Sequence, residues 1–225
     1  MNNIAARLIA KDLYLQRWLI GVAFGGGVAS LLVTGMVSQA GIGFGLVFYL
    51  TTVIAYGIVL VMHAVTMERN QKSLVFALSL PISPAQYLQA KMLAMLLAFV
   101  GPWALLTITT MVLIAITPIP DGMIPYLSMI SILMLTNFCV VLAAALISRS
   151  DAIITLVIIL TNASVSLLFI LMASMPSLAN LSSKDVIAWP PEALAIMGIE
   201  LAVALVAVVL PFAMRRAGRG LFARS

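Results

Sequence analysis

This sequence predicts an all-α integral membrane fold with six transmembrane helices, on three observations. Of its 225 residues, 64% are hydrophobic and 8% are charged, whereas soluble domains carry about 25% charged and about 45–50% apolar residues. Six stretches reach the roughly 20 mostly apolar residues needed to cross a bilayer. Once six spans are drawn, eleven of the 12 Lys and Arg residues fall on one side and only Lys184 on the other. That asymmetry marks the cytoplasmic face, so both termini are expected in the cytoplasm. The whole of 1–225 reads as one membrane domain, with no soluble domain and no internal repeat.

Before the first span, 1–17 carries Ile4, Leu8 and Leu15 on one helical stripe, with Arg7 and Lys11 flanking it and Ile9 and Leu13 outside it. The pattern predicts a short helix on the inner membrane face, with basic stems reaching the headgroups. No small-residue cleavage site follows a short apolar core, so a cleavable signal peptide is not expected. The first span, 18–37, places Gly21, Gly25 and Ala29 at four-residue spacing, with Gly26 and Ser30 forming a second small row. Such rows allow close helix approach, either between two copies or within one chain. The second span runs over 43–66 and ends near the only histidine, His63.

The longest inner connection is 68–83. Its first half is polar, with Glu68, Arg69, Asn70, Lys72 and Ser73, and its second half is apolar, with Leu74 and Leu78. Leu80 precedes Pro81, which disfavours helix there. Ser83 has the character of an N-cap, with Pro84 at the first helical position and Gln86 at the third. A short helix from about residue 69, a stop at Pro81 and a fresh long helix from Pro84 are therefore expected. The new helix carries Tyr87 and Lys91 at the interface before the third span, 92–117.

A turn with Pro118, Pro120 and Gly122 leads to the fourth span, 125–147, and a bare turn at Arg149-Ser150-Asp151 leads to the fifth, 152–173. The outer segment 174–191 holds Pro176, Lys184, Asp185, Trp189, Pro190 and Pro191, and Trp189 suits the headgroup region. The sixth span is 193–214. Pro102 and Pro211 lie inside apolar runs and predict kinks.

Few residues can carry chemistry. One cysteine, Cys139, excludes an intramolecular disulfide and most cysteine metal sites. A lone His63 has no motif partner for a metal; it reads as a satisfied interior or interfacial histidine, with gating as the sharper alternative. A zinc protease would need a His-Glu-x-x-His stretch, and a serine protease a Ser–His pair. Basic residues sit at the ends of apolar runs rather than in a soluble patch, so nucleic acid is not an expected partner; membrane lipids are. Glu200 lies about 12 Å below Glu192 along the last span, a depth at which a carboxylate must face protein or water. It is either a substrate or gating contact or a hydrogen-bonded structural carboxylate. Asn137, Asn162, Thr161 and Ser164 either line a cavity or bond across helices.

With these features together, the chain resembles the type-2 ABC exporter permease family. The resemblance rests on the six-span layout with a basic surface helix at the start, and on the outer segment before the last span. Its most specific part is the inner stretch Met67-Glu68-Arg69 through Lys72-Ser73, Leu80-Pro81-Ile82-Ser83, Gln86-Tyr87 and Ala90-Lys91. It implies that 68–83 is a coupling helix seated on a separate ABC ATPase subunit, with Glu68, Arg69, Asn70, Lys72, Ser73, Leu74 and Leu78 at the contact. Pro81, Ser83 and Pro84 would then form the elbow to the third span.

The resemblance also implies a second permease copy, as homodimer or related heterodimer, and short re-entrant helices in 174–191. The sequence has no glycine-rich loop ending in Gly-Lys-Ser/Thr. No cofactor is expected in this chain, and ATP and Mg belong to the partner ATPase. The 14 methionines offer an adaptable apolar surface suited to hydrophobic or amphipathic cargo. The competing reading is an autonomous carrier or channel, a class that commonly shows paired intramembrane charges or matched broken helices.

Overall fold

Helices account for every regular element in the computed structural model, which describes residues 3–36, 38–67, 83–148 and 150–216. α1 (Asn3–Leu15) leads into α2 (Arg17–Thr34), and α3 (Gln39–Val61) closes on a π-helical turn, Met62–Met67. α4 (Pro84–Ile116), α5 (Met123–Ile147) and α6 (Asp151–Ser174) follow. A single turn of helix, α7 (Pro176–Ala179), and a 3-10 turn, Leu181–Ser183, precede α8 (Pro191–Arg216). Six helices are long and apolar enough to cross a membrane: α2, α3 with its π turn, α4, α5, α6 and α8. They coincide with the six expected spans to within a few residues, and α4 starts at Pro84, as expected, running unbroken into the third span. The expected coupling segment lies outside the described residues from 68 to 82, and with it Glu68, Arg69, Asn70, Lys72, Ser73, Leu74, Leu78 and Pro81.

Local chemistry sets the helix starts. Ser83 accepts the Gln86 N–H at 3.2 Å, and Gln86 Oε1 accepts the Ser83 N–H at 3.0 Å. This reciprocal box satisfies two of the donors a helix start leaves open. Ser38 does the same for α3, accepting the Gly41 N–H at 2.9 Å.

α5 is the axis of the bundle. Two-thirds of its apolar window (67%) is buried, against 17–44% for the other spans. α3, α4, α6 and α8 all pack on it. α2 instead pairs closely with α3 and reaches α4. The small residues that make this possible are Gly26, where an added Cβ would press on Thr52, and Gly27, where it would collide with Leu106. Gly21 and Gly25 have open space on their Cβ side and are exposed, with Ala29 half-buried. That row therefore makes no close approach within the chain.

The face of α1 differs from the expected stripe. Ile9, Asp12 and Gln16 are buried, while Leu15 and Tyr14 are exposed. Polar partners on other helices, described below, draw this polar edge inward. Arg17 lies over the Tyr14 ring at 4.2 Å and the Trp18 ring at 5.8 Å, a cation–π arrangement on the exposed side.

Pro102 interrupts α4 without ending it. Proline has no N–H, so the carbonyl one turn earlier, that of Ala98, loses its helical donor. Tyr56 of α3 supplies a replacement, its hydroxyl donating to the Ala98 carbonyl at 2.6 Å. Beside it, Phe99 stacks on Tyr56 (centroids 5.9 Å) and on Phe138 of α5 (3.9 Å). Gly57 leaves room for this stack: a Cβ there would stand 3.1 Å from Phe99 and 3.3 Å from Phe138. Lower burial of α6 and α8 leaves their outward faces apolar and exposed, at Leu167, Ile170, Ile199 and Leu205 among others.

Tyr56→Phe should lower unfolding stability by about 1–3 kcal/mol, the cost of a buried carbonyl left without a donor. In a Pro102→Ala background, where residue 102 regains an N–H, the same substitution should cost less than about 1 kcal/mol. Denaturant titration in micelles of the four variants measures the difference.

Candidate functional site

Two polar features stand out in this apolar bundle. The first joins α1 to the helices that flank the segment 68–82. Lys91, about two turns into α4, places Nζ 3.1 Å from Asp12 Oδ2 of α1, with side-chain exposures of only 5% and 10%. Lys11 Nζ stands 3.9 Å from Asp12 Oδ1 on the outer side and is half exposed. One turn along α1, Gln16 Nε2 lies 3.3 Å from Nδ1 of His63. An amide nitrogen can only donate, so the imidazole nitrogen accepts.

His63 belongs to the π-helical turn that closes α3. Asp12 and Gln16, at i and i+4, share one face of the chain. The backbone N–H of Gln16 still donates to the Asp12 carbonyl (3.1 Å), and its carbonyl accepts from the Ile20 N–H (3.0 Å), so α1 and α2 meet without a loop. α1 therefore holds the end of α3 through His63 and the start of α4 through Lys91. Those are the two boundaries of 68–82.

The second feature lies in the middle of the spans. Consecutive α5 residues hold different neighbours. Thr136 Oγ1 donates to the backbone carbonyl of Glu200 in α8 at 3.0 Å. Asn137 Nδ2 donates to the Thr161 carbonyl of α6 at 2.9 Å. Ser164 Oγ stands 3.1 Å from Asn137 Oδ1 and 2.7 Å from the Thr161 carbonyl. Thr136 is residue 14 of the 25 in α5, which puts this belt near mid-bilayer.

On either side of α6 the belt borders an opening. A cavity of about 30 Å³, water-sized, lies against α3, with Asn137 and Asn162 in its wall together with Gly57 and Phe99. A groove of about 460 Å³ runs between α6 and α8, with Leu133 of α5 on its floor and Ser164 and Glu200 in its walls. Glu200 is 7% exposed, and its Oε2 has no hydrogen-bond partner.

Of the four residues singled out for a cavity, Asn137 and Asn162 thus share one opening. Glu200 lines another, linked to the first through Ser164. His63 belongs to neither and sits at the α1 junction. Ser83 and Pro84 stand at the start of α4, where they end the segment 68–82. Asp12 and Gln16 were not legible as site residues, because they read as part of a surface helix. The available signal was a lone acid on a basic helix, with an amide one turn on.

Among the described residues no cluster of three or more His, Cys, Asp or Glu is placed to hold a metal. Compared with known proteins, residues 7–214 match a family model described as ABC-2 family transporter protein. Neither the search of curated proteins nor that of solved structures returned a match.

Removing one member of a buried pair takes from the other the close opposite charge that offsets its desolvation. Lys91→Met or Asp12→Asn should each destabilise the protein by about 1–3 kcal/mol. The double variant Asp12→Leu/Lys91→Met should be more stable than either single one, because both charges are gone. Thermal unfolding in detergent, with all variants side by side, checks the order.

Proposed function

Because the chain belongs to the ABC-2 family of transporter proteins, its membrane domain matching over most of its length, we propose that it is the permease subunit of an ATP-driven exporter. A separate ABC ATPase subunit binds and hydrolyses ATP with Mg, and the permease converts that subunit's closure into movement of its spans. This chain itself carries no catalytic centre in this reading. Two copies, or one copy and a related chain, assemble in the bacterial inner membrane with both termini in the cytoplasm. The cargo is hydrophobic or amphipathic.

The observation that supports the coupling role is the junction around α1. A lever works only if its ends are held, because rigid-body motion is lost in a slack loop. Residues 68–82 are bounded by the π turn that carries His63 and by the capped start of α4 that leads to Lys91. Gln16 and Asp12 tie both boundaries to one helix. A push on 68–82 therefore meets α1, α3 and α4 as a unit. From α4 it reaches α5 through Trp103, whose Nε1 donates to the Ser131 carbonyl, and from α3 through Tyr49, whose hydroxyl meets Ser131 Oγ. Glu68 and Arg69 are assigned to the ATPase contact, with Asn70, Lys72, Ser73, Leu74 and Leu78 beside them.

Co-purification with the candidate ATPase, followed by ATP hydrolysis in lipid, tests the reading. The pair should form a stable complex. Glu68→Ala and Arg69→Ala should release the ATPase or lower permease-stimulated hydrolysis about tenfold, within the usual range of coupling energies. If no ATPase binds and the reconstituted chain alone moves solute, the protein is an autonomous carrier and the exporter reading fails.

A further inference from the structure

The groove between α6 and α8 has a composition that narrows what can occupy it. Leu133 forms its floor, Leu167 and Ile199 its rims, and Ile196 part of one wall. The rims are exposed on the outside of the bundle, 64% at Leu167 and 65% at Ile199, so the groove faces the bilayer. Its volume of about 460 Å³ falls within the roughly 300–1,000 Å³ of small-molecule sites. Into this apolar trough comes one acidic group, Glu200, more than nine-tenths buried, with Oε2 lacking a partner. The other polar residues of the wall are already engaged, Ser164 with Asn137 and the Thr161 carbonyl and Ser174 with the Leu171 carbonyl.

An isolated carboxylate in hydrocarbon is strongly unfavourable unless a cation or donors meet it. α6 carries no Lys or Arg, and α8 carries only Arg215 and Arg216, in its last turn. Glu200 stands about 13 Å along α8 from its start, near the middle of a hydrocarbon layer about 30 Å thick. A bilayer phospholipid keeps its head at the interface, and its chains would fill the groove without answering the carboxylate. A molecule that carries a cationic donor group into the membrane interior satisfies both the apolar walls and the charge of a Glu200 carboxylate.

We propose that this groove binds an amphiphile with a hydrocarbon body and a single ammonium group, taken from the bilayer between α6 and α8, with the Glu200 carboxylate as counter-ion. As a cargo site it rests on the permease reading; as a binding site it stands by itself. The test therefore uses the purified chain in nanodiscs without any ATPase.

The probes are a long-chain primary alkylamine bearing a photoactivated diazirine and the isosteric alkyl alcohol. Labelling is mapped by mass spectrometry. The amine should label peptides of α6 and α8 about tenfold more than the alcohol, because a hydroxyl can donate to the carboxylate but does not answer its charge. Glu200→Gln should remove that preference while leaving alcohol labelling in place. Leu167→Trp, an exposed rim change that does not disturb the core, should reduce labelling by both probes.

Equal labelling by amine and alcohol in the native chain, or a preference that survives Glu200→Gln, overturns the proposal. So does thiol crosslinking of Ile199→Cys between two chains before probe is added, which would give the groove to a second copy. None of these outcomes touches ATPase binding, so failure here and failure of the exporter reading are separable.

Discussion

No water is present in the hydrocarbon layer to satisfy a polar atom, and this constraint organises the bundle. Each polar group that the chain carries into its spans must find a partner, either on its own helix, as Ser30 and Thr110 do, or on a neighbouring one, and the second kind decides which helices meet. The Ala98 carbonyl freed by Pro102 is met by Tyr56. Asn137 and Thr136 reach opposite neighbours from adjacent positions on α5. Tyr49 joins Thr107 and Ser131 at 2.8 Å and 3.1 Å, fastening α3 to α4 and α5. Apolar packing fills the space between these points, but Leu against Leu is no better than Leu against lipid. Specificity of arrangement therefore rests on the polar contacts and on the small residues that let backbones approach. The unpartnered Oε2 of Glu200 is informative because everything around it obeys the rule.

What could be read from the sequence depended on how local the cause was. The six spans follow from length and hydropathy alone, and the box at Ser83–Gln86 from four consecutive residues. Both appear in the structure as expected. On α1 the stripe of Ile4, Leu8 and Leu15 was expected against the membrane, and the edge turned toward the protein went unread. The true inner face, Ile9, Asp12 and Gln16, exists only because Lys91 and His63 are brought opposite it by distant parts of the chain. Gly21 and Gly25 have the better spacing on paper, yet Gly26 and Gly27 make the contact, because helix rotation is set by partners and not by the small row itself. For the groove, Glu200 was visible from its depth, but the opening beside it arises from α6 and α8 each leaning on α5, which no local pattern encodes.

The turn between α4 and α5 shows how tightly the opposite end is tied. Gly122 donates its N–H to the Lys184 carbonyl at 2.8 Å, and a Cβ there would collide with the Leu181 carbonyl. Leu178 and Leu181 are fully buried. The segment before α8 is thus fixed to the start of α5 by backbone as well as by side chains. α8 enters the bundle at a set height, and that height places Glu200 beside Thr136.

The ion pair between Asp12 and Lys91 also bears on the order in which the molecule is built. The ribosome releases α1 before its partner, which emerges only with α4. Until then, the acid and amide edge of α1 has no protein to lie against and stays with water and headgroups. Docking of α1 is consequently a late step that can be completed only after α2, α3 and the start of α4 have been inserted in the correct direction. A chain with one span inverted would leave Lys91 on the wrong side of the bilayer and α1 undocked. The same contact that braces the finished permease thereby distinguishes a correctly threaded nascent chain from a misthreaded one.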